Sequence, residues 1–161
     1  MGLMKIISSK TFNVPAGDLW IVIHEPANMP AWNEKCVSAS STNGGGIGSR
    51  FEASFSLGTS VQKTKGEVVA WDYQKQIEFR YLFESETKEM NSVDETYTIT
   101  ELGENRTKLK HVVDLSNAGF PWWARLLMSV IGRLGRSAGP GPLEGIEELL
   151  NPSDRESVED A

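Results

Sequence analysis

The sequence predicts an α+β fold: a curved antiparallel sheet of about six or seven strands around a long C-terminal helix, with two short helices between the first and second strands. Three observations predict it. From Lys35 onward apolar residues alternate in runs separated by short polar turns, the pattern of strands joined in a meander. Two helical stretches punctuated by proline fall between residues 15 and 33. One apolar-faced helix, 120–137, is then left to cover the sheet.

Residues 4–13 are rich in β-branched side chains and form the first strand. Pro15 is pre-organised for a first helical turn, and Leu19, Trp20, Val22 and Ile23 follow at helical spacing, giving a helix over 15–24. Pro26 and Pro30 limit residues 27–33 to a short helical piece. Ser38–Thr42 is a strand and Asn43–Gly48 a turn. Phe51, Ala53, Phe55 and Leu57 alternate with polar residues in the next strand, and 60–71 is another. Ile77, Phe79, Tyr81 and Phe83 share a face over 76–83, as do Val93, Glu95, Tyr97 and Ile99 over 92–101 and Leu109, His111, Val113 and Leu115 over 106–115. In 120–137, Trp123, Leu127, Val130 and Leu134 repeat at spacings of four and three, opposite Arg125, Ser129, Arg133 and Arg136. Gly139-Pro140-Gly141-Pro142 interrupts this helix, and Leu143–Leu150 resumes as a short one.

Length and composition suit one domain over residues 1–150 with a disordered acidic tail over 151–161. The net charge is −6, and the tail, with four acids and one arginine, supplies half of it. A mildly acidic body is a poor partner for nucleic acid, whose affinity comes from neutralised phosphates. Cys36 is the single cysteine, which fits a reducing, cytoplasmic setting. The first ten residues carry no apolar h-region or cleavage site, so no signal peptide is expected, and no apolar run is long enough for stable membrane insertion. Nothing in the sequence sets an oligomeric state.

Three stretches carry a resemblance: VPAGDLWIVIHEPANMPAWN (14–33), GIGSRFEASF (46–55) and GEVVAWDYQKQIEFRY (66–81). Together with the order of elements they resemble the superfamily of START-related lipid-transfer proteins and birch-pollen-type allergens (SRPBCC), and within it the polyketide cyclase/dehydrase branch. The resemblance covers roughly residues 4–150 and implies the helix-grip fold, with an apolar or amphipathic ligand held between sheet and final helix. It implies no universal catalytic set, and no cofactor is expected. The Gly-Pro-Gly-Pro break departs from the continuous final helix usual in such proteins.

His111 and Glu95 are the candidate pair for proton transfer. Both fall in apolar stripes on sequential strands, where desolvation raises a Glu pKa and lowers that of His. The plainer reading is preferred: His111 as a hydrogen-bonded core residue and Glu95 at the pocket mouth or in a salt bridge. Tyr81 and Tyr97 could orient a polar ligand group, although aromatic packing explains them more simply. His24, at the end of the first helix, suits the helix dipole. Two histidines and one cysteine offer no zinc spacing. GGGIGS (44–49) lacks both the Gly-Lys-Ser/Thr of a phosphate loop and the third glycine of a dinucleotide fingerprint, and reads as a hairpin. Cys36 reads as a small buried hydrophobe, and 120–137 as a core helix rather than a membrane-surface one.

The leading expectation is a binding protein, with transport as its extension, for a small hydrophobic or amphipathic ligand. Its pocket is lined by Trp32, Phe51, Phe55, Phe79, Tyr81, Tyr97, His111, Trp123 and Leu127. One alternative is a cyclase/dehydrase or isomerase acting on a polyketide-like or other apolar substrate, with His111 as base and Glu95 or Tyr81 as acid or oxyanion donor. The other is a membrane-peripheral lipid carrier using 120–137.

Overall fold

The computed structural model describes residues 4–41, 45–57, 59–84, 90–119 and 141–151. The helix expected over 120–137, with Trp123 and Leu127, lies outside the described residues, as do Gly139, Pro140 and the tail from 152.

Seven antiparallel strands make one sheet in the order β1-β7-β6-β5-β4-β3-β2. They are β1 (Lys5–Phe12), β2 (Cys36–Ser41), β3 (Arg50–Leu57), β4 (Ser60–Asp72), β5 (Gln76–Glu84), β6 (Met90–Gly103) and β7 (Arg106–Asp114). Each strand from β2 to β7 pairs with the next, as short connections require, and the first strand returns to pair with the last. Between β1 and β2 run helix α1 (Ala16–Ile23), a 3-10 turn (Pro26–Asn28) and helix α2 (Met29–Trp32); helix α3 (Pro142–Leu150) follows β7. This is the helix-grip fold, with a curved sheet and short helices after the first strand. Register shifts between Cys36 and Ser38, Val68 and Ala70, and Glu101 and Gly103 add residues to one strand only, which bends and twists a sheet locally.

The strand phases agree with the alternation in the sequence. Phe79 pairs with Glu95 and Tyr97 with His111, so directly opposed residues carry the expected stripes across β5, β6 and β7 on one face. Against that face lie Leu19, Trp20 and Ile23 of α1, Met29 and Trp32 of α2, and Leu143 and Ile146 of α3, all buried in one core. Gly66, opposite both Phe51 and Tyr81, is where the rings crowd the backbone: a Cβ there would lie 2.1 Å from the Phe51 ring. Phe51 therefore lies across Gly66 and reaches the rings of β5.

The helix ends follow the proline and glycine chemistry. Pro15 precedes α1 in extended conformation, and His24 closes it with its backbone N–H on the Trp20 carbonyl. α3 begins on the second proline of the Gly-Pro-Gly-Pro run, one residue earlier than Leu143, because proline is favoured in a first turn where its missing N–H costs nothing. Gly46 and Gly48 take positive φ in the turn before β3, so the described part of the glycine run is a turn into a strand.

Candidate functional site

Of the residues expected to line a pocket, Trp32, Phe51, Phe79, Tyr81, Tyr97 and His111 are buried and Phe55 is partly buried against them. They form a continuous chain of rings. Phe55 meets Tyr81 at 5.4 Å between centroids, Tyr81 meets Phe51 at 5.7 Å, Phe51 meets Phe79 at 5.5 Å, and Phe79 meets Tyr97 at 6.3 Å, all edge to face. Trp32 stands edge-on to Tyr97 at 5.7 Å, fixed by a 3.2 Å bond from its Nε1–H to the Val22 carbonyl. His111 ends the chain, stacked on Tyr97 at 4.6 Å. Edge-to-face pairs of this kind add about 0.5–1.5 kcal/mol beyond the area they bury.

Within this apolar setting stands one ionisable cluster. Glu95 and His111 are 8 % and 6 % exposed, and His111 Nε2 lies 2.9 Å from Glu95 Oε1. The same carboxylate oxygen accepts the Tyr97 hydroxyl. The Tyr81 hydroxyl lies 3.5 Å from Met29 Sδ and also supports the carboxylate. Burial works against charge on Glu95, but the bond from His111, the charge of that ring, and the two tyrosines outweigh it. The carboxyl is held below its ordinary value of 4.5. Burial first, and then the Glu95 charge, push both tyrosines well above the ordinary phenol range, so they remain O–H donors.

The expectation that Glu95 and His111 share one side of the sheet therefore holds, and so does the plainer expectation of a hydrogen-bonded His111. Of the two places expected for Glu95, a pocket mouth or a salt bridge, the structure gives the second: it is buried against His111. Sequence reasoning did not foresee that Cys36 and Met29 adjoin this cluster. Cys36 pairs with Phe55 across β2 and β3, and a lone cysteine before a serine-rich strand carries no signal of its neighbours. Its thiol is pushed up to about 11, by burial and then by the Glu95 charge. A thiol in that state is inert. Its labelling by a disulfide reagent at pH 8 should run about 100-fold or more slower in the native chain than in urea. Equal rates would place the thiol at the surface. Since Cys36 is the one cysteine, the signal has a single source.

The depressed carboxyl sets the acid behaviour. An unfolded glutamate titrates near about 4.3, above the folded value. Stability from Glu95 is then complete above that pH and disappears as pH falls through the folded value. The difference in urea midpoint between the wild type and Glu95→Gln should stay constant from pH 7 to 5 and shrink toward pH 3. A difference that widens on acidification would reverse the sign of the shift.

His24 sits apart, with Nδ1 2.7 Å from the Trp20 carbonyl and its ring stacked on Trp20. Trp71 and Tyr73 complete that second aromatic group, at the end of the sheet where β4 turns into β5.

With the fold and the paired acid and imidazole in place, comparison with known proteins gives the lineage. The family described as polyketide cyclase / dehydrase and lipid transport matches residues 4–138. The chain belongs to that family. It thereby joins the polyketide cyclase/dehydrase branch of the START-related and birch-pollen-allergen-like superfamily. No curated protein matches the sequence. Among solved structures, similar folds include a ginseng major latex-like protein from Panax ginseng, 16% identical, with a TM-score of 0.62 over 90% of this chain and 95% of that one. The Zhui aromatase/cyclase from Streptomyces sp. R1128 is 15% identical, with a TM-score of 0.60 over 99% and 89%. A protein from Thermus thermophilus is 14% identical, with a TM-score of 0.66 over 89% and 94%. At these identities the likeness is one of fold. Among the described residues, no helix is long and apolar enough to cross a membrane.

Proposed function

We propose that residues 1–150 form one domain that binds a small hydrophobic or amphipathic molecule against the aromatic face of its sheet, in a cytoplasmic setting without nucleic acid. The observation that carries this reading is the unbroken chain of rings from Phe55 to His111, with a single ionisable pair set in it. Ligand pockets have this composition: mostly apolar and aromatic walls with a few converging polar groups. Apolar area removed from water, at about 25 cal/mol/Å², would supply the affinity and the pair would supply orientation. Family membership, in a group described by both cyclase/dehydrase and lipid-transport roles, supports it.

Titration with N-phenyl-1-naphthylamine tests the reading. The expected result is a saturable, blue-shifted fluorescence rise with one molecule bound per chain, reversed by urea at the unfolding midpoint. A rise that never saturates would overturn it.

The hydrogen bond between His111 and Glu95 favours a second reading, proton abstraction beside a carbonyl. His111 would act as the base, held by Glu95, and Tyr81 would donate to the enolate oxygen. Glu95 itself is a poor acid, since it is held ionised. The measurement is exchange of the α-protons of 2-tetralone in D2O, followed by NMR. The enzyme reading expects exchange well above the buffer rate and its loss in His111→Phe. Exchange at the buffer rate would leave binding alone.

A further inference from the structure

On the face of the sheet turned away from the ring chain, β7 carries three cations in a line. Thr107, Leu109 and His111 are buried, so Arg106, Lys108 and Lys110, which alternate with them, point outward, and all three are exposed. Residues two apart on a strand stand about 6.8 Å apart. That is inside the Debye length of about 8 Å at physiological salt, so the three charges act as one stripe. Their cross-strand neighbours carry no charge. Lys110 lies between Ser9 and Thr98, Lys108 between Thr11 and Thr100, and Arg106 opposite Gly103. Among the described residues none of the three makes an ion pair.

Elsewhere on the sheet cations stand with acids. Lys5, Lys10 and Arg80 are paired with Asp114, Glu147 and Asp94. Arg50 is opposite Glu67, and Lys65 opposite Glu52. The stripe is a run of three positive charges with no acid in its rows, on a chain whose net charge is −6. The matching charge lies in the C-terminal segment. Residues 152–161 hold Asp154, Glu156, Glu159 and Asp160 against Arg155, four acids and one base, for −3. Asp154 and Glu156 repeat the spacing of two that separates Lys108 from Lys110.

That segment starts within reach. Glu147 of α3 is paired with Lys10, which stands opposite the buried Leu109 and so belongs to the inward rows of β1. α3 ends at Asn151, whose backbone N–H bonds to the Glu147 carbonyl. The chain therefore leaves the helix about one turn from β1, the edge strand beside β7. Passing around that edge takes about one strand spacing and one layer, about 15 Å in all. Ten extended residues span about 33 Å. We infer that residues 152–161 pass around β1 and lie on the stripe, with their acids against Arg106, Lys108 and Lys110. Each surface ion pair is worth little alone. The tether holds the acids at a millimolar effective concentration, and this is what makes the contact form. The contact needs no folding of the segment, shields the stripe from other anions, and is released by salt.

Paramagnetic relaxation in the full chain tests this. A nitroxide is attached at Ser157→Cys. Cys36 is buried, with its thiol pushed up to about 11, and stays unlabelled, which mass spectrometry checks as one label per chain. At about 0.01 M salt, where the Debye length is about 30 Å, the amide signals of Ser9, Thr98, Lys108 and Lys110 should broaden. Those of Lys63 and Lys65, on β4 at the far end of the sheet, should not. At about 1 M salt, where the Debye length is about 3 Å, the broadening should disappear. Lys108→Gln combined with Lys110→Gln changes two exposed positions, so the fold stays intact, and the broadening should be lost at low salt as well. The salt response of the chain with both lysines keeps the test independent of that variant. Three results would each overturn the inference: no broadening on β7 at low salt, broadening that survives about 1 M salt or the two glutamines, or broadening that falls on residues 120–137 instead.

Discussion

Replacing Glu95 with alanine is expected to destabilise the fold by about 4 kcal/mol, the range for removing one partner of a buried ion pair. The loss comes from what remains behind. His111 Nε2–H and the Tyr97 hydroxyl both end on Glu95 Oε1, and the Tyr81 hydroxyl leans on the same group. Each buried donor left without an acceptor costs about 1–3 kcal/mol. Glu95→Gln keeps an acceptor oxygen of the same shape, and its cost should be smaller, about 1–2 kcal/mol. Joining Glu95→Ala with His111→Phe removes one orphaned donor, so the double variant should lose at least about 1 kcal/mol less than the two single losses combined. Urea unfolding followed by circular dichroism measures all three. A loss below about 1 kcal/mol for Glu95→Ala would mean that water replaces the carboxylate, and that this face of the sheet is wet.

Gly145→Ala is expected to cost about 2 kcal/mol, against the direction of helix propensity. Alanine is the better helix former by about 1 kcal/mol. A Cβ at this position, however, would lie 1.8 Å from the carbonyl oxygen of Trp32. That oxygen is backbone, so no rotamer change relieves the clash and α3 must move away from α2. Overpacking of this kind costs about 1–3 kcal/mol or more. The movement would lift Leu143 and Ile146 from the core and loosen Trp32, whose ring rests on Tyr97. Thermal unfolding reads the loss, and near-UV circular dichroism reads the change in aromatic packing. A rise in stability would show that α3 is not seated on α2.

The strands were legible because each is amphipathic with a period of two. Over β5, β6 and β7 the inward residues are alternate ones without interruption, so Phe79, Glu95, Tyr97 and His111 were assigned to their face from spacing alone. The first helix was legible from Pro15 and the run Leu19, Trp20, Val22 and Ile23. Pair geometry was not. Glu95 lies directly opposite Val113, and His111 opposite Tyr97, so the bond between Glu95 and His111 is diagonal and depends on register. Alternation fixes which face a residue takes and leaves open how far along the neighbouring strand its partner stands. The neighbourhood of Cys36 and Met29 depends on how α2 docks under the sheet, which no local pattern encodes. The seat of α3 rests on Gly145, whose lack of a side chain reads in sequence only as a weak helix former.

Intermolecular NOEs test the central claim most directly. The protein is labelled with 13C in its aromatic rings and histidines and saturated with unlabelled N-phenyl-1-naphthylamine. A ligand held on the inward face predicts contacts from its protons to Tyr81, Tyr97 and the His111 ring, with none to the exposed Tyr73. Contacts confined to Tyr73, with the Tyr97 and His111 signals unmoved at saturation, would contradict it.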